Sequence, residues 1–258
     1  MTIIRQVIVE GIPYEVTLSD DREALLAAQA AKRAVVAIGE GDFYEIPYVA
    51  EDWDAVSPAY LERVVRRYQG LPWVIGETRR LLIREFMFQD ACQVPPEPEA
   101  GAEDVRFRDP EQLKAYIRNQ YRFYEFGIWA LVEKQTGTLV GKAGLSVFTL
   151  EGQMAESDSP LAGEALELGY HIFRPFRRNG FALEACARIL QYGWEQFALP
   201  VYAKIDAGNL ASMRLAHQLG FVETGRIDSG SGLCRFLYEW RPPGWKAQAV
   251  PSQYRFPG

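Results

Sequence analysis

Six consecutive residues, Arg177-Arg178-Asn179-Gly180-Phe181-Ala182, place two guanidinium groups and a glycine directly ahead of a helix-like apolar run that continues to Phe197. A turn of this kind offers anion chemistry: unpaired backbone N–H groups, the positive end of a helix dipole, and room for a diphosphate to touch the main chain. Just upstream, Leu166 to Phe173 reads as a strand. Its period-two alternation puts Glu167, Gly169, His171 and Phe173 on one face and Leu168, Tyr170 and Ile172 on the other. A carboxylate and an imidazole therefore share a side. An imidazole titrates near neutrality, and a carboxylate serves as a base when burial raises its pKa. The three cysteines, Cys92, Cys186 and Cys234, are odd in number and widely spaced, so they form neither a disulfide framework nor a zinc pattern, and no metal is expected. Cys186 falls with Leu183, Leu190, Trp194 and Phe197 on the apolar side of the helix and reads as core, not as a nucleophile.

The elements that must position these groups follow from the flanking pattern. Downstream of the helix come a strand from Val201 to Ile205, an Asn209-led helix stopped by Gly220, and two strands, Val222 to Arg226 and Cys234 to Trp240, that read as a hairpin. Upstream, Arg79 to Phe86 reads as a strand and Val94 to Glu103 as a solvated Pro/Glu/Ala-rich loop. Asp109-Pro110-Glu111-Gln112 is a helix start whose buried face would be Leu113, Tyr116, Ile117 and Tyr124. Strands from Ile128 to Glu133 and Leu139 to Phe148 flank the hairpin-length turn Lys134-Gln135-Thr136-Gly137, and an acidic loop runs from Glu151 to Glu164. The first seventy residues alternate strands and helices: Val7 to Val9, Tyr14 to Leu18, a helix from Asp21 to Lys32 capped by Ser19 or Asp20, a strand from Ala34 to Ile38 suited to parallel pairing, and a helix from Pro58 to Tyr68. Leu71-Pro72-Trp73 ends that helix. The expected organisation is a small α/β accessory domain over 1–75 and a second domain over 76–258.

The bulk properties narrow the classes. At 258 residues with 48% hydrophobic and 24% charged residues, the composition is that of a globular protein. A net charge of -6 provides no general basic surface, so nucleic-acid binding is not expected. The N-terminus lacks the apolar stretch of a signal peptide and no run spans a membrane, so a soluble cytoplasmic protein without a membrane partner is expected.

The order strand, Arg-rich glycine turn, long helix, strand, and Asn-led helix ending Leu219-Gly220-Phe221 resembles the GNAT superfamily of acyl-CoA-dependent N-acetyltransferases. The likeness covers residues 76 to 241 and is strongest to the branch of ribosomal-protein N-terminal acetyltransferases. Those open with Thr-x-Arg-Leu-x-Leu-Arg, matched with one departure by Thr78-Arg79-Arg80-Leu81-Leu82-Ile83-Arg84. Their Gln/Arg-x-x-Gly-x-Gly/Ala signature matches residues 177 to 182, and Glu184-Ala185 continues it.

The resemblance implies an α/β fold with a mixed, splayed β-sheet flanked by helices, and acetyl-CoA as donor substrate. Ile172, Phe173 and Arg174 would pair with pantetheine. Arg178, Asn179, Gly180, Phe181 and Ala182 would hold the diphosphate through their backbone N–H groups, with Arg177 adding charge. Asn209 is similar to a residue that contacts the pantetheine arm or the acceptor, although Asn is also a good N-cap. Ser212 resembles a serine near the thioester sulfur. Glu167 is the candidate base that deprotonates an amine acceptor, with His171 as an alternative. The family's usual tyrosine proton donor is replaced by Ala216. Transfer to a small-molecule or peptide amine is the expected activity, and a non-catalytic acyl-CoA-binding or sensing protein is the alternative. A homodimer is left open. Ser19-Asp20-Asp21 and the segment after it weakly resemble haloacid-dehalogenase-like hydrolases, but the Asp-x-Asp nucleophile is missing.

Overall fold

The computed structural model describes residues 1–97, 102–148, 165–228 and 234–242. The expected acidic loop at 151–164 lies outside them. The chain divides into two compact units: Met1–Trp73 with Ile117–Phe123 form the first, and Val74–Tyr116 with the described residues from Tyr124 onward form the second.

In the first unit, β1 (Thr2–Val9) and β2 (Ile12–Ser19) are antiparallel, followed by α1 (Arg22–Ala30), β3 (Ala34–Ile38), β4 (Val49–Ala50) and α2 (Pro58–Tyr68). The four-stranded sheet has the order β1-β2-β3-β4, with β3 parallel to β2, as the crossover through α1 requires, and parallel also to β4. All five β3 residues are buried because helices cover both faces. Ala34, Val36 and Ile38 pack with Leu61, Val64 and Val65 of α2, whereas Val35 and Ala37 pack with Leu25 and Ala28 of α1. The cap of α1 is Asp21, whose carboxylate accepts from Glu23 N at 2.9 Å, and not Ser19 or Asp20. Ser19 instead bonds Thr2 and the Asp21 N–H.

The second unit begins with β5 (Val74–Glu77) and β6 (Leu81–Arg84), then a 3₁₀ turn, Phe88–Gln93. The helical segments α3 (Ala102–Arg108) and α4 (Pro110–Tyr116) come next; the π-helical turn (Ile117–Tyr121) and α5 (Arg122–Tyr124) that follow them belong, as far as Phe123, to the first unit. Strands β7 (Ile128–Glu133), β8 (Leu139–Val147) and β9 (Leu166–Ile172) lead into α6 (Phe181–Phe197). They are followed by β10 (Val201–Asp206), α7 (Leu210–Gln218), β11 (Val222–Asp228) and β12 (Cys234–Trp240). Asp109 caps α4 as its sequence predicts, accepting from Gln112 N at 2.9 Å. The apolar face expected over 113–124 does not run on as one stripe. The π turn adds a residue to the repeat, so Leu113 and Tyr121 are buried while Tyr116, Ile117 and Tyr124 are only partly so. The solvated loop expected at 94–103 is also not what forms at its two ends: α3 starts at Ala102, and the Glu97 side chain is only 5% exposed. Arg84 anchors the 3₁₀ turn through a buried two-pronged pair with Asp90, at 2.7 and 2.9 Å.

The eight strands are ordered β11-β12-β10-β9-β8-β7-β6-β5 in a mixed α/β sheet. Its β9–β10 neighbours are parallel, and their ladder holds only Val201↔Leu166 and Tyr202↔Glu167. Past that point β9 stays with β8 as far as Gly141↔Ile172, while β10 stays with β12 as far as Asp206↔Arg235. The sheet is therefore splayed, and the opening begins at Glu167. Helix α6 is held closely over β8: a Cβ on Gly193 would come within 2.7 Å of Leu145 Cδ1. Cys186 and Ile189 on its inner side are fully buried.

Candidate active site

Helix α6 starts from a left-handed residue, Gly180 at φ +78°, and Arg178 two residues earlier is also left-handed at φ +63°. Glycine adopts this conformation without Cβ strain, and here it leaves the helix end without a side-chain cap. The Glu184 N–H bonds to Gly180 O at 3.1 Å, so the N–H groups of Phe181, Ala182 and Leu183 precede the first intrahelical bond and point out of the helix end. Asn179 Nδ2 closes the turn on Phe176 O at 3.2 Å.

Glu184 ties this end to the turn between β5 and β6. Its carboxylate accepts from Thr78 Oγ1 at 2.5 Å, from Arg80 N at 2.7 Å and from Arg80 Nε at 2.8 Å. Burial acts against its charge, but these three bonds and the Arg80 charge outweigh it and hold the carboxyl below its ordinary range. The Arg80 guanidinium lies 4.4 Å over the Phe181 ring, and its Nη2 would sit 3.4 Å from a Cβ at 180. A cation from a segment a hundred residues earlier thus borders the cradle.

A second carboxylate supports the turn from below. Glu97 accepts from Arg174 N at 2.6 Å, from Arg177 Nη2 at 2.8 Å and meets His171 Nε2 at 2.8 Å. Burial again opposes the charge, and the Arg174 N–H, His171 and Arg177 together bring its pKa below the ordinary value. Arg177 also donates Nε to Ile172 O at 2.8 Å. The guanidinium expected to add charge at the diphosphate is therefore engaged with the backbone of β9 and with Glu97. Phe173 continues the β8 pairing through its N–H to Val140 O at 3.0 Å, and both Ile172 and Phe173 are buried.

Between the parted strands lies a cleft of about 230 Å³. Glu167, Gly169 and Tyr170 line it from β9, Lys204 and Asp206 from β10, and Asn209, Ser212 and Ala216 from the α7 side. At its inner end Glu167 Oε2 pairs with Lys204 Nζ at 2.9 Å, and Lys204 also stands 4.9 Å over the Phe148 ring. Phe148 in turn stacks on Tyr202 at 4.5 Å. Asn209 caps α7, with its Oδ1 accepting from Ser212 N at 3.1 Å. The Tyr170 hydroxyl donates to Ser212 Oγ at 2.7 Å.

Glu167, Asn209 and Ser212 are thus brought together on one cleft, and Arg178 to Ala182 form one turn at the head of α6. His171 does not line the cleft; its ring joins Glu97 and Arg177 instead. Tyr170, Lys204, Glu97 and Arg80 escaped notice in the sequence. Alternation did place Tyr170 opposite Glu167, but only the fold, by setting α7 beside β9, brings its hydroxyl to Ser212. Arg80 alone had a signal, as part of the Thr-x-Arg-Leu match. Cys186 is fully buried, which pushes its thiol up to about 12, and His217 packs edge-on against Tyr238 at 5.5 Å. Among the described residues there is no cluster suited to a metal ion, and no helix is long and apolar enough to cross a membrane.

A mixed sheet parted between two parallel strands, with an open glycine-led helix end beside the opening, defines the fold of the GNAT acetyltransferases. The family model described as an acetyltransferase (GNAT) domain matches residues 46–222, and the chain belongs to that family. Among curated relatives, the uncharacterised protein YkkB of Bacillus subtilis is 31% identical over 119 residues, covering 44% of this chain and 62% of its own length. The chain thus spans less than two-thirds of that relative. The uncharacterised N-acetyltransferase YoaA of the same organism is 28% identical over 160 residues, covering 58% of this chain and 84% of YoaA. Among solved structures, a ribosomal-protein-S5-alanine acetyltransferase from Vibrio fischeri superposes with a TM-score of 0.52 at 17% identity, covering 69% of this chain and all of its own.

Proposed function

We propose that the protein is an acetyl-CoA-dependent N-acetyltransferase that acetylates a primary amine, from a small molecule or a peptide, by direct attack. The observation that carries this reading is the parting of β9 and β10 at Glu167, which opens a cleft lined by proton-handling side chains beside an uncapped helix N-terminus. The chain's groups fit the donor. The outward N–H groups of Phe181, Ala182 and Leu183, with the left-handed turn from Arg178 to Gly180, suit a diphosphate, and Gly180 leaves the backbone accessible. Arg80, held through its Nε by Glu184 with its Nη2 beside Gly180, supplies the adjacent positive charge, while Arg177 is engaged with Glu97 and Ile172 O. When bound, acetyl-CoA supplies an acetyl group activated as a thioester.

In the transfer a C–N bond forms from the amine lone pair and the C–S bond breaks with its electron pair on sulfur. The nitrogen loses one proton, and the departing thiolate takes one from solvent water. Glu167 takes the proton from nitrogen, directly or through a water, while Lys204 holds its carboxylate where the strands part. Ser212 hydrogen-bonds the sulfur side of the cleft, where the family's usual tyrosine is replaced by Ala216. His171 acts as a structural partner of Glu97. Burial of Cys186 supports direct transfer over an acyl-enzyme, since its thiol is protonated throughout the neutral range. Transfer belongs to the second compact unit, and the N-terminal α/β segment to residue 75 serves as an accessory domain for acceptor selection or assembly.

Calorimetry with CoA and thiol release from acetyl-CoA against a panel of amines test the reading together. Micromolar CoA binding, amine-dependent release, and a Glu167→Gln loss of roughly a hundredfold in turnover are expected, the usual scale for a general base. CoA binding without turnover of any amine would favour a sensing protein and refute the enzyme.

A further inference from the structure

The cleft pairs Ser212 with a second hydroxyl, that of Tyr170, to which the family resemblance did not point. Tyr170 comes from β9 and Ser212 from the first turn of α7, and their oxygens are 2.7 Å apart with the phenol as donor. A phenol has a single proton. Once that proton is given to Ser212 Oγ, the serine's own hydrogen must point elsewhere, and the cleft that both residues line is where it can go. The backbone N–H of Ser212 is already taken by Asn209 Oδ1, so this helix turn is held from both sides. The third lining position nearby, Ala216, has no proton to offer.

Resting on the acetyltransferase reading above, we infer that Tyr170 is a positioning residue that aims the Ser212 hydroxyl at the sulfur of CoA, so that a two-hydroxyl unit does the work of the missing tyrosine at 216. Burial raises the Tyr170 pKa above its ordinary value. The phenol is thus protonated across the working range and donates at every pH where the enzyme acts. Sulfur gains its hydrogen bond from Ser212, whose oxygen is made a stronger donor by the bond it accepts. No proton need leave Tyr170.

The test is a titration of bound CoA followed by the ultraviolet absorbance of its thiolate, a readout independent of turnover and of the acceptor. A donor aimed at sulfur stabilises the thiolate. In Tyr170→Phe and in Ser212→Ala the bound thiol should titrate about one pH unit higher than on the unsubstituted protein, a tenfold change in the ionisation constant. The double variant should shift no further than either single one, because the two side chains act as one unit. A residue that merely packs would alter CoA affinity without moving the titration. Bound thiol titrating at the unsubstituted value in Tyr170→Phe overturns the inference and leaves the acetyltransferase reading intact. Failure of the unsubstituted protein to bind CoA overturns both. Should Tyr170→Phe not fold, Ser212→Ala, on a partly exposed helix turn, decides the point: an unchanged titration there overturns the inference.

Discussion

Replacing Glu97 with glutamine isolates the support beneath the cradle. The side chain is 5% exposed, and its two oxygens serve three donors: the Arg174 N–H, His171 and Arg177. Glutamine keeps the shape but loses the charge and turns an NH₂ toward one of those donors. Removing one partner of a buried ion pair costs about 3 to 5 kcal/mol. Because the Arg177 side chain is 39% exposed and is rehydrated when released, we expect a smaller loss than that, about 2 to 4 kcal/mol. For a chain of this size such a loss lowers Tm by about 10 °C.

The pH dependence gives a second handle. The folded pKa of Glu97 is depressed, so its stabilisation is fully present above the unfolded carboxylate value, about 4.3, and disappears as pH falls through the lower folded value. Urea unfolding of both proteins at neutral pH should show the full gap, and the gap should close as the pH drops below about 4. A difference under about 1 kcal/mol at neutral pH, within the range of an ordinary surface substitution, refutes the strut. So does a gap that persists undiminished in acid.

Gly180→Val combines left-handed strain at φ +78° with a branched side chain over the helix end, and it should weaken CoA binding at least tenfold in calorimetry while α6 remains folded by circular dichroism. Unaltered affinity would move the diphosphate elsewhere. Alkylation of the native protein at mildly alkaline pH should label the exposed Cys92 and spare Cys186, whose thiol is pushed up to about 12, and Cys186→Ala should keep turnover within about threefold. An acetyl group recovered on Cys186 by mass spectrometry would overturn direct transfer.

How much of this was legible beforehand depended on sequence distance. The turn from Arg177 to Ala182, the Asp109 and Asn209 caps and the parallel β3 all follow from neighbours within a few residues, where helix ends and strand periods are specified. The face expected over 113–124 failed because a π turn is a local insertion in the helical repeat that no residue type at 117–121 announces. Glu97 was hidden for a different reason. Among prolines and glutamates it reads as solvated chain, and its burial depends on partners 74 to 80 positions away.

The sequence alone determined that a strand runs into a glycine-led helix end, and so that unpaired donors stand there, because backbone N–H groups at a helix start are orphaned whatever surrounds them. It also determined the α/β class and which strand carries Glu167. Only the tertiary structure decided which charges remain available at that site. Folding engages Arg177 with Glu97 and Ile172, brings Arg80 to the helix end through Glu184, separates His171 from the cleft, and sets Tyr170 against Ser212 across 42 residues. Ion pairs and hydrogen bonds act over a few ångströms, so side chains distant in sequence become partners only when the sheet and helices have placed them within reach.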